Sequence, residues 1–296
     1  VRPPLIDVGP MRTPAFALLA TLGLSLGTPL FATGCIQRTL INGQASATRK
    51  ASVVANTLGD PEVARVGAMN ALVQGEGTHF LAPDNEDILF MLARGWASYA
   101  FAFAEDDYET AVARGDEATA DYAKRRVRHA YDRAIKYGIE LLGRKAEGFD
   151  TARHSQKELK AWLDDKFKNK EDAELLFWLG YAWLARASFF VADDPGLVGE
   201  LYVGVALVER SRALDPTYQD YGATTVLASY YARSPQGPEF EQGVKLFQEA
   251  IEKTQRKSLT VLYNYANRVH CGKSDRAAYE KTMHEILDAG DLDEQR

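Results

Sequence analysis

The sequence predicts an all-α fold: a solenoid of helical hairpins that stack into a right-handed superhelical array. Three observations predict it. From about Pro61 onward, apolar residues recur at helical spacing, and the alternating runs typical of strands are missing. Turn-forming groups such as Asp194-Pro195-Gly196 and Asp215-Pro216 separate the helical segments. Finally, one spacing of small and large residues repeats along the chain.

The repeated spacing is that of the tetratricopeptide (TPR) unit. Its first helix carries a large residue, Leu three later, a small residue next and an aromatic three beyond that. Its second helix carries small and large residues at spacings of four and three. Three copies stand at 176–183 with 204–216, 224–231 with 243–251, and 89–96 with 127–135. Small residues let two helices approach closely, so this pattern predicts stacked TPR-like hairpins.

Two spans are longer than this repeat allows. They run from Trp96 to Val127 and from Trp183 to Gly204. We therefore expect the extra residues around 106–116 and 191–200 to bulge from the stack.

The amino terminus has the pattern of a secretory signal peptide. No residue between Arg12 and Arg38 is charged, and residues 14–31 are almost wholly apolar or small. A positive residue, an apolar region and small residues before a cleavage point make such a signal. Residues 1–34 are therefore predicted to be a signal peptide, with 1–10 as an extension upstream of the true start.

Cys35 makes the signal more specific. The Ala-Thr-Gly before it is similar to the lipobox of bacterial lipoproteins, in which the cysteine carries the lipid. We predict acylation of Cys35, with 35–52 as a polar tether and 53–296 as the repeat domain. Ile36 favours a lipid anchor in the outer membrane, on the periplasmic side. Ordinary cleavage near Ala32 and an uncleaved membrane anchor are the two alternatives.

Composition and charge narrow the partners. The 296 residues carry a net charge of −6 with both signs interleaved, and no long Lys/Arg run predicts a nucleic-acid partner. The tight cluster of Arg125, Arg126 and Arg128 is interpreted as a solvated helix face. With Cys35 acylated, the second cysteine, Cys271, has no disulfide partner and is expected to be a buried small hydrophobe.

No motif predicts catalysis, a metal or a cofactor. Residues 272–274 end like a phosphate-binding loop, but the glycine required five positions before Gly272 is Asn267. Ser98 and Ser188 have no companion His and Asp in a recognisable order. The five histidines lack the paired spacing of a zinc site, and the adjacent acids 105–107 are expected to be solvated. The sequence therefore predicts that the protein is not an enzyme.

Aromatic residues give the candidate groove. Trp96, Tyr99 and Phe103 share one helix face at spacings of three and four, and Trp178 lies five residues before Trp183. Core packing is the default interpretation of such residues. The alternative is a groove for an apolar ligand or a partner segment, because repeat arrays commonly present one on a concave face.

Three strings in this chain resemble the TRAP transporter T-component family, TatT. They are APDN at 82–85 followed by LFMLARGWASYAFAFAE at 89–105, LFWLGYAW at 176–183, and ERSRALDPTY at 209–218. The likeness runs from about Val53 to Leu287. It implies a periplasmic lipoprotein of helical hairpins, associated with a soluble solute-receptor protein and a tripartite ATP-independent transporter. It also implies a homo-oligomer, a trimer that encloses a pore lined by apolar residues.

The leading hypothesis from the sequence is a lipoprotein component of a TRAP-type solute uptake system. It would bind the receptor protein and an apolar or amphipathic solute. The alternative is a TPR-like lipoprotein scaffold or chaperone for envelope assembly, and an enzyme ranks third. A permease and a receptor in neighbouring reading frames would favour the first.

Overall fold

The computed structural model describes residues 32–290, and every regular element in that range is helical. The α-helices of the first half are α1 (Ala32–Ala51), α2 (Pro61–Leu81), α3 (Glu86–Tyr99), α4 (Glu105–Arg114), α5 (Glu117–Lys145), α6 (Phe149–Ala152) and α7 (Gln156–Lys166). Those of the second half are α8 (Ala173–Phe190), α9 (Leu201–Leu214), α10 (Tyr218–Tyr231), α11 (Phe240–Lys253), α12 (Leu259–Tyr265) and α13 (Arg276–Asp288). The π-helical segments Ala100–Ala104 and Ala266–His270 continue α3 and α12.

The helices pack as consecutive hairpins. The continuous α3–α4 stretch pairs with α5, α8 pairs with α9, α10 with α11, and α12 with α13. This confirms the predicted all-helical repeat array. The small positions of the predicted copies are where backbones meet: a Cβ on Gly243 of α11 would lie 2.7 Å from the Ala228 carbonyl oxygen of α10.

Helix starts follow the capping residues. Asp60 accepts hydrogen bonds from the backbone N–H groups of Glu62 (2.8 Å) and Val63 (3.2 Å) at the start of α2. The Asn85 side chain accepts from the backbone N–H of Ile88 at 2.9 Å and so caps α3. These caps fix where the first hairpin turns.

The expectation that residues 106–116 bulge from the stack is wrong. The π-helical segment Ala100–Ala104 joins α3 to α4, so the helix runs on from Glu86 to Arg114 and packs along α5, which is 29 residues long. Gly115, with φ of 71°, ends α4, and the Asp116 side chain caps α5. The extra residues therefore lengthen both helices of the first hairpin. At 191–200, a turn and the 3₁₀ segment Pro195–Glu200 connect α8 to α9.

A short insertion between the first and second hairpins completes the core. The helices α6 and α7 bring Phe149, Leu159 and Leu163 into it, followed by Phe167, and all four are buried. These residues join the cluster formed by α3, α5, α8 and α9. None of the predicted repeat copies falls on this segment.

Helix α1 contacts the array through residues near the carboxyl end of α1. Ala45 is buried, and Arg49 pairs with Asp87 of α3 at 2.7 Å and with Glu174 of α8. The Arg49 guanidinium also lies 4.2 Å from the centroid of the Phe90 ring. The predicted signal peptide falls outside the described residues up to position 31, and the Cys35 side chain is outside them too. The signal peptide and the lipid therefore stay predictions. The predicted tether, 35–52, coincides with α1 (Ala32–Ala51), whose Ala45 and Arg49 contact the array.

Cys271 contradicts the expectation of a buried thiol, because its side chain is exposed. Its backbone N–H donates to the Ala266 carbonyl oxygen, five residues back, at 3.0 Å. The expectation of burial came from the general tendency of free cysteines, whereas this thiol lies on the turn that follows the π-helical segment and is open to solvent.

Candidate functional site

A cavity of about 540 Å³ opens between the repeats. Its walls come from α3 and the following π-helical segment, and from α4, α8, α10 and α12. The helices α3, α8, α10 and α12 are each the first helix of a hairpin. The cavity thus lies on the side of the array that the first helices share, where repeat proteins place their binding surfaces.

One wall is a cluster of aromatic rings centred on Tyr181. Its ring stacks on Phe177 with centroids 6.2 Å apart, and meets Phe101 at 6.2 Å and Trp178 at 6.0 Å edge to face. The Trp178 indole N–H donates to the Tyr218 hydroxyl at 2.9 Å, which satisfies its polar atom. Such a wall favours an apolar occupant.

Both π-helical segments border this cavity. The first segment, which ends directly before Glu105, places Phe101 and Ala102 on the cavity wall. The second segment carries Arg268. Insertion of one residue into a helical turn reorients the side chains that follow, and such segments are frequent at functional sites. The two segments therefore help to define the lining.

The polar end of the cavity contains Glu105, Glu109 and Arg268. The Tyr131 hydroxyl donates to Glu105 Oε1 at 2.5 Å. Burial raises the pKa of Glu105 to about 7; Glu109 adds to the rise, whereas the Tyr131 hydrogen bond and the Arg268 charge oppose it. Burial likewise raises the pKa of Tyr131 well above its usual value, so this hydroxyl stays a donor.

Arg268 supplies the positive charge of this end. Within residues 32–290 its guanidinium lies in no ion pair, although its charge lowers the pKa of Glu105. A guanidinium without a carboxylate partner, beside a carboxyl that is partly protonated at neutral pH, can bind the polar head of an amphiphile.

A left-handed turn forms part of the rim. Gln219, Asp220 and Tyr221 have φ values of 51°, 50° and 63°, and the first two line the cavity. This backbone conformation is strained for residues other than glycine, and strained residues cluster at functional sites. The next residue, Gly222, lies against Phe177: a Cβ there would be 3.0 Å from the ring.

Of the five aromatic residues predicted to form a groove, Trp178 lines this cavity. Trp96 lies on another face of α3, where its indole N–H donates to Glu76 of α2 at 2.8 Å. Tyr99 is buried between Trp96 and Phe103, with ring centroids at 6.2 and 5.9 Å. Trp183 is buried beside the insertion. The structure therefore does not bring the five together.

Phe101, Phe177 and Tyr181 were missed. A signal for the last two was present, because Phe177, Tyr181, Ala185 and Ser188 follow one another at spacings of four, four and three and all line the cavity. This stripe lies beside the repeat-signature stripe of the same helix. Because most residues of α8 are apolar, the sequence does not distinguish the face that lines the cavity from the face that packs against neighbouring helices.

The carboxylates at 105–107 diverge. Glu105 turns to Tyr131, while Asp107 accepts from Arg65 at 2.9 Å and from Arg126 at 2.8 Å. Asp106 is exposed. Within residues 32–290 no group of three His, Cys, Asp or Glu side chains is arranged to hold a metal ion.

A second concavity, of about 480 Å³, lies between α9, α10 and α11. Arg212 there donates to both oxygens of Glu249, at 2.7 and 2.9 Å, and the Tyr231 hydroxyl donates to Glu209 at 3.2 Å. Because its charges pair internally, the aromatic cavity is the better candidate for an apolar ligand.

Sequence comparison identifies the family. A protein-family model described as TRAP transporter T-component matches residues 58–295. The chain belongs to the TRAP transporter T-component family. This confirms the resemblance of the strings in α3, α8 and α9, all of which lie inside the matched range. T-component proteins belong to a membrane-associated transport system and are not a known enzyme family.

One relative of this T-component chain is an uncharacterized protein of Treponema pallidum (strain Nichols). The two are 22% identical over 214 residues, which is 72% of this chain and 66% of the relative. The chain thus spans just under two thirds of that relative's length. Among the helices within residues 32–290, none is both long and apolar enough to cross a membrane.

Proposed function

We propose that this protein is the periplasmic, lipid-anchored T component of a TRAP-type solute uptake system, and that its cavity binds an apolar or amphipathic solute. Family membership supports the first part. The aromatic-walled cavity of about 540 Å³ is the observation that carries the second.

The size and lining of the cavity suit such a solute. Small-molecule sites typically enclose roughly 300–1,000 Å³. Phe101, Phe177 and Leu184 line the apolar part, where each buried CH₂ of a solute contributes about 0.8 kcal/mol. Arg268 and Glu105 offer a cation and a hydrogen-bond donor to a polar head at the other end. The solute class that follows is one with an apolar body and one polar end.

The partner in this proposal is the soluble solute-receptor protein of the same uptake system. Acylation of Cys35 would hold the T component on the periplasmic face of the outer membrane, and the receptor would dock on the repeat array. The proposal includes self-association, as a trimer by family resemblance.

The test is calorimetric titration of the purified protein with the receptor encoded beside the transporter permease in the same genome. A receptor from an unrelated uptake system serves as the control. We expect saturable binding of the first and none of the second. Absence of binding to both would contradict the transporter role and favour an envelope scaffold.

A further inference from the structure

Helix α2 turns its charged side chains inward. Arg65 donates to Asp107 of α4 at 2.9 Å, and Glu76 pairs with Arg133 of α5. His79 packs edge-on against Tyr137 of α5, with ring centroids 5.2 Å apart. Arg65, Glu76 and His79 are the only charged or basic residues of α2 beyond Glu62, and none of the three is exposed.

The outward face of α2 is uncharged and, apart from Asn70 and Gln74, apolar. Its exposed large residues are Val63, Val66, Met69, Val73, Phe80 and Leu81, which we call the α2 outer face. Phe80 is 85% exposed and Val73 is 73% exposed. From Val63 to Leu81 no exposed position of this helix carries a charge. This is the reverse of an ordinary surface helix, whose polar side faces water.

The location of α2 explains why the face is uncovered. Helix α2 packs on α3 at the amino-terminal edge of the hairpin array, and within residues 32–290 no helix covers its other side. End units of repeat arrays need a polar outer face to stay soluble. A largely apolar, uncharged face at such an edge marks an interaction site.

We infer that the α2 outer face is the contact surface between copies of this chain. The inference rests on the self-association in the proposed function and names the surface that produces it. A face without charges can meet the same face of other copies around a symmetry axis, because no like charges are brought together.

The area of the face supports a second copy as its occupant. Together with the exposed Val53 and Val54 of the 3₁₀ segment Ser52–Thr57 and with Leu58 after it, these side chains expose apolar surface on the order of 800 Å², about one partner's share of a standard interface. The outer positions of Gly67 and Gly77 have no neighbouring atoms and would let a partner helix approach closely. The absence of Lys and Arg on this face argues against a membrane surface, since interfacial helices are rich in both.

The test is sedimentation velocity of the purified protein, wild type against the double variant Val73→Glu/Phe80→Glu. Both positions are exposed in a single chain, so the variant should keep its helical circular dichroism. We expect the wild type to self-associate and the double variant to do so at least about tenfold more weakly, because each charge would be buried without a partner. Val112→Glu on α4, at a position 53% exposed, is the matched control and should self-associate like the wild type.

Three results would overturn the assignment: a monomeric wild type, unchanged self-association of the double variant, or a membrane role for the face. The last is tested with phosphatidylcholine vesicles and Cys35→Ser protein, with and without the two Glu substitutions. Vesicle binding that the substitutions abolish would assign the face to lipid. The wild type is titrated with the receptor in parallel. If the receptor binds while the double variant self-associates as strongly as the wild type, the transporter role stands and only the assignment of the α2 outer face is wrong.

Discussion

Gly180 and Gly204 face each other across the contact between α8 and α9. A Cβ on Gly180 would lie 2.9 Å from the Gly204 carbonyl oxygen, and a Cβ on Gly204 would lie 3.1 Å from the Gly180 carbonyl oxygen. Both glycines occupy small positions of the same predicted repeat copy. The repeat pattern therefore exists here because two helix backbones touch, and a side chain at either position must push them apart.

Gly180→Leu should lower the free energy of unfolding by roughly 1–3 kcal/mol or more, because the new side chain overpacks this contact. Gly143→Leu on α5 is the control, since a Cβ there meets nothing within 4 Å. Urea unfolding measures both. Equal midpoints for the two variants would mean that α8 and α9 do not touch at Gly180.

Cys35→Ser should release the protein from bacterial membranes while leaving its helical circular dichroism unchanged. Acyl chains contribute about 0.8 kcal/mol per buried CH₂, so loss of the acylated residue removes the predicted anchor. Cys271→Ser is the control, as the second cysteine of the chain. A Cys35→Ser protein that stays on membranes after a salt wash would exclude lipid anchoring through Cys35.

Glu105 should make stability depend on pH. Burial raises its pKa to about 7, above its ordinary value of 4.5, so the folded protein binds this proton more tightly than the unfolded chain does. That stabilisation is complete below about pH 4.5 and is lost as the pH rises through 7.

Glu105→Gln should therefore gain stability relative to the wild type between pH 5 and pH 8, by up to about 3 kcal/mol. Glu252→Gln, at an exposed position on α11 away from the cavity, is the control. Unfolding free energies at several pH values give the difference. A constant difference between Glu105→Gln and wild type would show that Glu105 titrates normally.

Arg49→Ala should detach α1 from the array. Arg49 joins α1 to Asp87 and Glu174 and lies over the Phe90 ring, so its loss removes two half-buried ion pairs together with a ring contact. Hydrogen exchange should become faster in α1 and stay slow in α8. Lys50→Ala, at the adjacent exposed position, is the control. Protection of α1 that survives Arg49→Ala would mean that other contacts hold it.

The repeat copies could be predicted because the spacing of residues within each helix specifies which of them pack against the next helix. Gly180 and Leu176 in α8, or Val127 and Tyr131 in α5, are fixed by spacings within a single helix. Such a spacing predicts which face of the helix is buried, independently of the residues in the rest of the chain.

The cavity could not be predicted in the same way. Phe101 and Arg268 reach it from π-helical segments, where the ordinary period of 3.6 residues fails. Tyr181 lines the cavity on the α8 face next to the repeat signature, and the pairing of Glu105 with Tyr131 joins residues 26 positions apart. Such contacts depend on how hairpins stack, which no single spacing specifies.

Binding of an apolar probe to the cavity tests the central claim most directly. Titration of the purified protein with 8-anilinonaphthalene-1-sulfonate should give saturable fluorescence with one site per chain. Ala102→Trp, which fills the cavity from its wall, should abolish that signal, and Ala113→Trp, exposed on α4 away from the cavity, should preserve it. No saturable binding by the wild type, or equal binding by Ala102→Trp and wild type, would contradict a solute-binding role for this cavity.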